Sequence, residues 1–262
     1  MQMIINGLTL GYEDFGSGPA VLLIHGFPLR REMWRPQVEP LVDAGYRVIL
    51  PDLRGFGKSE SGSGASMDNY ADDLVALLDF LGVDKAVVGG MSMGGYVLFN
   101  LLERYPQRLH AAMFIVTRAA ADDVDGQAKR SAMIAAVESG DDNLVPDSFA
   151  NVLFAPKTVV EQPELVVEVR NWMTSASPAG VIAALTAMRD RTDYLEMLSR
   201  FNLPSLVVGG REDQAIPTEH FDALVSGLPQ VTSALLNNCG HLANLESPAA
   251  FNAAMISFLK EL

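Results

Sequence analysis

Five residues, Gly90-Met91-Ser92-Met93-Gly94, constrain this chain more tightly than any other stretch. An apolar run, Lys85-Ala86-Val87-Val88-Gly89, precedes them and reads as a short buried strand. The segment that follows, from Gly95 through Leu101 and Leu102 to Tyr105, reads as a largely buried helix. A chain that passes from strand to helix across G-x-S-x-G holds its serine in a strained backbone conformation with the hydroxyl pushed outward. Side chains at 90 and 94 would collide with the neighbouring strand and helix, so both are glycine. The start of the helix also points free backbone N–H groups at the same spot, where an anion can be held.

Around this turn the chain alternates strands and helices. Residues 2–6 and 8–15 read as two strands joined at Asn6-Gly7. Residues 20–24 and 46–50 read as strands, 31–44 and 67–81 as helices, and 109–117 as another strand. The rhythm stops between 118 and 199. Strand patterns vanish there, and Pro146, Pro156, Pro163 and Pro178 punctuate helical segments. About eighty residues is too long for one crossover, so this stretch is expected to be a helical lid. A strand at 203–210, a helix at 217–227, a strand at 232–236 and a helix at 248–261 complete the pattern. The expected division is a core of residues 1–117 and 200–262 with a cap of 118–199. The class is α/β with a mostly parallel sheet covered on both faces. Gly62-Ser63-Gly64 reads as a short loop.

Charge excludes some functions. A formal net charge of −13 offers no basic footprint for nucleic acid, and an anionic membrane surface would repel it. The acidity reads as solubility. The first residues lack a basic region and a long apolar stretch, and Cys239 is the single cysteine, so a cytoplasmic location is the expectation. Cys and His are not clustered at metal-binding spacing. Gly57-Lys58-Ser59 has the tail of a phosphate-binding loop, but Asp52 stands where that pattern needs glycine.

A serine hydroxyl needs a base to take its proton, usually a histidine oriented by a carboxylate. The turn pattern expects the order Ser, acid, His. After Ser92 come His110, His220 and His241. His110 begins a strand and His220 lies within a helix. His241 follows a strand and Gly240, at a strand's C-terminal end, and is the expected base. Glu212 and Asp213 both follow a strand, and the shorter Asp213 is preferred as the acid. Asp122, Asp123, Asp141 and Asp142 are expected to be solvated surface charges. Backbone N–H groups of Phe27, in the loop after strand 20–24, and of Met93, after Ser92, are expected to form an oxyanion hole.

The segments His25-Gly26-Phe27-Pro28, Pro51-Asp52-Leu53-Arg54-Gly55-Phe56-Gly57-Lys58-Ser59, Gly90-Met91-Ser92-Met93-Gly94-Gly95, Gly209-Gly210-Arg211-Glu212-Asp213 and Gly240-His241-Leu242-Ala243-Asn244-Leu245-Glu246-Ser247-Pro248 together resemble the α/β-hydrolase superfamily. The resemblance covers nearly the whole chain and is weakest in the lid. It implies an eight-stranded mostly parallel sheet, a Ser92–Asp213–His241 triad and no cofactor. The subgroup resembled is that of small bacterial carboxylesterases and 3-oxoadipate enol-lactonases. Serine at 92 argues against the dehalogenase and epoxide hydrolase branches, whose turn carries aspartate.

The expected activity is hydrolysis of a small carboxylic ester or lactone through an acyl-enzyme. Alternatives with the same triad are an enol-lactonase, a C–C bond hydrolase and an acyltransferase or perhydrolase; a small-molecule receptor is the non-enzyme alternative. Met133, Phe149, Phe154, Trp172 and Met188 are candidate wall residues of the substrate pocket from the lid, although for any one of them packing between lid and core is the expected role. The expected partner is a small ester or lactone, not nucleic acid or membrane, and the sequence leaves the oligomeric state open.

Overall fold

The computed structural model describes residues 1–62, 64, 66–150 and 152–262. Of the expected Gly62-Ser63-Gly64 loop, Ser63 lies outside the described residues. The chain begins with a hairpin of β1 (Gln2–Ile5) and β2 (Leu8–Phe15), turned at Asn6 and Gly7. There follow β3 (Ala20–Ile24), α1 (Arg35–Asp43), β4 (Arg47–Pro51), α2 (Met67–Phe80), β5 (Ala86–Met91), α3 (Met93–Arg104) and β6 (Leu109–Ile115). Five helices come next: α4 (Val124–Glu138), α5 (Leu144–Ala150), α6 (Pro156–Glu161), α7 (Pro163–Thr174) and α8 (Pro178–Arg189). Between 118 and 199 the described residues hold no strand. Pro156, Pro163 and Pro178 each open a helix, where the missing proline N–H costs nothing. The chain closes with β7 (Ser205–Gly210), α9 (Thr218–Gly227), β8 (Val231–Leu236), the short α10 (Ala243–Glu246) and α11 (Pro248–Leu259).

The strands form one sheet in the order β1-β2-β4-β3-β5-β6-β7-β8. β1–β2 and β2–β4 pair antiparallel, and every other pair is parallel. Parallel strands need helical crossovers, so both faces of the sheet are covered. β3 shows the consequence: all five of its residues are buried, and they alternate between two cores. Leu22 and Ile24 pack on one face with Leu74 and Leu77 of α2 and Val97 of α3. Val21 and Leu23 pack on the other with Leu41 of α1 and Phe251 and Met255 of α11. Each large apolar side chain so buried contributes roughly 1.5–3 kcal/mol. The result for the site is registration. Ile24 lies level with Gly90, Met91 with Ile115, and Ile115 with Val208. The C-terminal ends of β3, β5, β6 and β7 therefore open onto one edge, where sheets of this type place their ligands.

Candidate active site

Ser92 is the whole of the turn between β5 and α3. Its backbone sits at φ 53 and ψ −113, a conformation that costs a non-glycine residue of order 1–3 kcal/mol and persists only when its surroundings enforce it. Those surroundings are explicit. A Cβ on Gly90 would fall 2.2 Å from the Gly94 carbonyl oxygen, and one on Gly94 would fall 2.5 Å from the Ile24 carbonyl oxygen. The Ser92 N–H donates to the Ile115 carbonyl at 3.0 Å. The Thr117 hydroxyl donates to the Ser92 carbonyl at 2.8 Å. Thr117 is aimed there by Val116, itself held at φ 40, an outlier for a β-branched residue. Neither Val116 nor Thr117 carries a motif, so sequence reading missed both.

β7 ends at Gly210 and β8 at Leu236, and the loops beyond them meet. His241 Nδ1 lies 2.7 Å from Asp213 Oδ2, both residues buried. Asp213 Oδ1 accepts the N–H groups of Ala215 and Ile216 at 2.8 and 2.9 Å, so its carboxylate cannot swing away. An Asp213 carboxylate makes Nδ1 the protonated imidazole nitrogen, which leaves Nε2 free to act as a base. The neighbouring Glu212 is half-buried, and its side chain makes no hydrogen bond among the described residues. His110 is exposed on β6, and His220 sits on α9. Ser92, partly exposed, shares the sheet edge with the Asp213–His241 pair, but no hydrogen bond joins its Oγ to His241 among the described residues. Such bonds commonly tighten only with substrate bound.

The backbone N–H groups of Phe27 and Met93 donate to no protein group among the described residues. Met93 is the first residue of α3, whose N–H has no partner in the helix. Gly26, beside Phe27, packs directly on Ser92. The Phe27 loop is braced from below. His25 Nε2 accepts the Leu53 N–H at 2.9 Å, so Nδ1 carries the proton and donates to the Gly26 carbonyl at 2.9 Å. Burial pushes the His25 pKa below its ordinary value and keeps the ring neutral. Asp52, the residue that rules out a phosphate loop, is buried and accepts the N–H groups of Arg31 and Lys58, both at 2.9 Å.

Glu246 is a further residue whose role sequence reading did not single out. Oε1 accepts the N–H of Gly240 at 2.9 Å and of Leu242 at 3.2 Å, on either side of His241. Oε2 accepts the Ala155 N–H at 2.8 Å and the Thr158 hydroxyl at 2.6 Å, from the helical segment. The His241 N–H in turn donates to the Leu153 carbonyl at 2.9 Å. The histidine loop is thus clasped to residues 153–158 through one buried carboxylate. Burial pushes the Glu246 pKa up, against the four hydrogen bonds that favour its charged form.

One expectation for the helical segment is corrected, and the candidate wall residues divide. Asp122 is not solvated: it is buried against the guanidiniums of Arg118, Arg130 and Arg191. Of the five candidate wall residues, only Met133 and Phe149 line a cavity of about 670 Å³. Phe154, in the loop between α5 and α6, Trp172 of α7 and Met188 of α8 are buried in core packing instead. The Phe149 ring lies 5.5 Å from that of Phe27.

A sheet of this topology, with a strained serine after its central strand and an Asp–His pair after β7 and β8, defines the architecture of an α/β hydrolase. The comparisons agree. Residues 19–248 match the family model of the alpha/beta hydrolase fold, and the chain belongs to that family. It is similar to a thermophilic esterase from Thermogutta terrifontis, solved with malate bound: TM-score 0.95 and 36% identity, over 99% of this chain and 96% of that one. It is 29% identical to 3-oxoadipate enol-lactonase 2 of Acinetobacter baylyi, over 97% of this chain and 94% of the relative. It is 28% identical to the bifunctional esterase/perhydrolase DCH of Acinetobacter calcoaceticus, over 82% of each. Among the described residues no helix is long and apolar enough to cross a membrane.

Proposed function

We propose that the protein is a serine hydrolase that cleaves a small carboxylic ester or lactone through an acyl-enzyme. The observation that carries this reading is Ser92 at φ 53 on the sheet edge that also bears the 2.7 Å Asp213–His241 pair. In this reading Ser92 Oγ attacks the carbonyl carbon while His241 Nε2 takes its proton. The N–H groups of Phe27 and Met93 hold the oxyanion, a contribution of about 3–4 kcal/mol per donor in comparable sites. Collapse of the tetrahedral adduct breaks the C–O bond, and the leaving oxygen receives the proton from His241. A water, deprotonated by His241, then releases the acid and restores Ser92. Asp213 holds the imidazole tautomer throughout. The chemistry calls for no metal or cofactor.

Residues 118–199 are the cap in this reading. The likeness to an esterase, an enol-lactonase and an esterase/perhydrolase supports acyl chemistry and leaves the acyl group open. The working setting proposed is the cytoplasm, with a small-molecule partner and neither nucleic acid nor membrane. The test is a stopped-flow assay with 4-nitrophenyl acetate together with labelling by a fluorophosphonate. A burst of 4-nitrophenol followed by steady turnover, with the label on Ser92, is expected. Tight binding without turnover or label would instead make the protein a receptor.

A further inference from the structure

A trans peptide unit is planar, so its N–H points opposite to its C=O and the two turn together. The Met93 N–H, an oxyanion donor in the ester reading, shares one such plane with the Ser92 carbonyl. Whatever fixes the direction of that carbonyl also fixes the direction of the donor. Two groups hold it. The Gly95 N–H donates to the Ser92 carbonyl oxygen at 2.9 Å from the first turn of α3. The Thr117 hydroxyl donates to the same oxygen at 2.8 Å, from the chain just beyond β6.

The first bond is what a helix start supplies by itself. A buried carbonyl already paired in that way needs no further donor. The fold nevertheless accepts strain to bring Thr117 there. Val116 is held at φ 40, an outlier for a β-branched residue, and its N–H is tied to the Val208 carbonyl at 2.8 Å. Position 95 is glycine, and a Cβ there would fall 2.2 Å from Thr117 Oγ1. Thr117 is buried, so water does not compete for its hydroxyl. Backbone strain of this kind collects where a reactive geometry has to be kept.

The other donor is held in the same manner. The Phe27 N–H shares a plane with the Gly26 carbonyl. That carbonyl accepts the Leu29 N–H at 2.9 Å and the Nδ1–H of the buried His25 at 2.9 Å. Each donor is thus backed, at the opposite end of its own peptide unit, by one backbone N–H and one side-chain donor. A hydrogen bond to the carbonyl also polarises the unit and strengthens its N–H as a donor.

We infer that Thr117 is a positioning residue of the oxyanion hole: its hydroxyl holds the Ser92–Met93 peptide plane so that the Met93 N–H points at the oxygen of the reacting carbonyl. Thr117 touches neither the substrate nor the reacting atoms, and acts through one rigid peptide unit. Its effect is greatest where charge develops on the substrate oxygen, in the transition state. The inference rests on the ester reading and adds to it the residue that aims one of the two donors.

Two matched pairs isolate the hydroxyl: wild type against Thr117→Val, and Thr117→Ser against Thr117→Ala. Loss of a whole oxyanion donor costs about 10²–10³ in kcat. A donor that is kept but no longer aimed should cost about tenfold, with KM for 4-nitrophenyl acetate changed by less than about twofold. Benzeneboronic acid adds to a serine hydroxyl and places an oxygen of its tetrahedral adduct in the hole, so its Ki should rise about tenfold in the two variants that lack the hydroxyl. Tm is measured alongside, and kcat and Ki should sort by the hydroxyl and not by Tm. Equal kcat within the pairs overturns the inference. So does a kcat that follows the methyl group, with Thr117→Ser as slow as Thr117→Ala, or one that follows Tm. If one variant fails to fold by circular dichroism, the other pair decides. If Thr117→Val and Thr117→Ala both fail while Thr117→Ser folds, the hydroxyl is a stability element and the inference falls. Wild-type protein that neither turns over the ester nor takes a fluorophosphonate on Ser92 sinks the ester reading and this inference with it. Active wild type with unmoved variants sinks this inference alone.

Discussion

His241 Nδ1 lies 2.7 Å from Asp213 Oδ2, a contact between loops 28 residues apart that meet only because β7 and β8 pair in parallel. The same carboxylate takes two backbone N–H groups on its other oxygen. It is therefore a fixed acceptor, and the imidazole it orients is buried beside the edge that carries Ser92.

Removing that charge while keeping the shape tests the assignment. Asp213→Asn should favour the wrong imidazole tautomer and lower kcat by about 10² or more; the same change in a serine protease costs about 10⁴. Glu212→Gln, whose carboxylate makes no hydrogen bond among the described residues, should cost less than about threefold, near the scale of an ordinary surface change. The measurement is kcat on one activated ester at pH 8, with folding checked by circular dichroism. A crippled Glu212→Gln beside an active Asp213→Asn would place the acid one residue earlier.

Ser92→Ala should abolish turnover and leave the melting temperature close to that of the wild type or higher, since alanine keeps the Cβ that the turn accommodates. In a related triad the loss of the serine costs about 10⁶ in kcat. Residual activity above a few per cent in a preparation free of contaminating esterase would remove Ser92 from the mechanism.

Glu246→Gln should damage both stability and rate. An amide has one acceptor oxygen, so its NH₂ must face donors now satisfied by a carboxylate. Leaving a buried donor unpaired costs about 1–3 kcal/mol, which for a chain of this size lowers Tm by roughly 2–12 °C. The His241 loop would lose its brace, and kcat should fall by about tenfold or more with KM little changed, because small misplacements of a reacting group are costly. A variant with lowered Tm and unaltered kcat would reduce Glu246 to a purely structural tie.

His25 predicts a pH dependence of stability. Its folded pKa lies below the ordinary histidine value of 6.5, chiefly through burial. The unfolded chain then binds the proton more readily, so stability is fully present above pH 6.5 and is lost as pH falls toward the folded value. Protonation would also put an N–H on Nε2, against the Leu53 N–H that it accepts. Tm measured from pH 5 to 8 should fall on the acid side more steeply for the wild type than for His25→Gln. Parallel curves for the two proteins would show that His25 does not drive acid lability.

Read alone, the chain determined its architecture and the strand-end positions of Ser92, His241 and the Glu212–Asp213 pair, because those signals are local. Steric exclusion at Gly90 and Gly94 acts over a few residues, and the alternation of strand and helix patterns is written in the spacing of apolar side chains. Element ends moved by up to four residues: β5 runs on to Met91 and α3 begins at Met93, which leaves Ser92 as the entire turn. The short α10 carried no periodic signal in four residues. Tertiary structure alone decided the rest. Glu212 and Asp213 are adjacent and chemically alike, and only the packing of the β7 and β8 loops turns one of them to His241. Asp122 looks like a surface acid in sequence, because the three arginines that bury it come from positions 118, 130 and 191. Glu246 looks like one residue of a helix start, yet it joins the histidine loop to Ala155 and Thr158, about ninety residues earlier. Burial and pairing of a charge depend on which segments meet in space, and nothing in the local pattern of a chain states that.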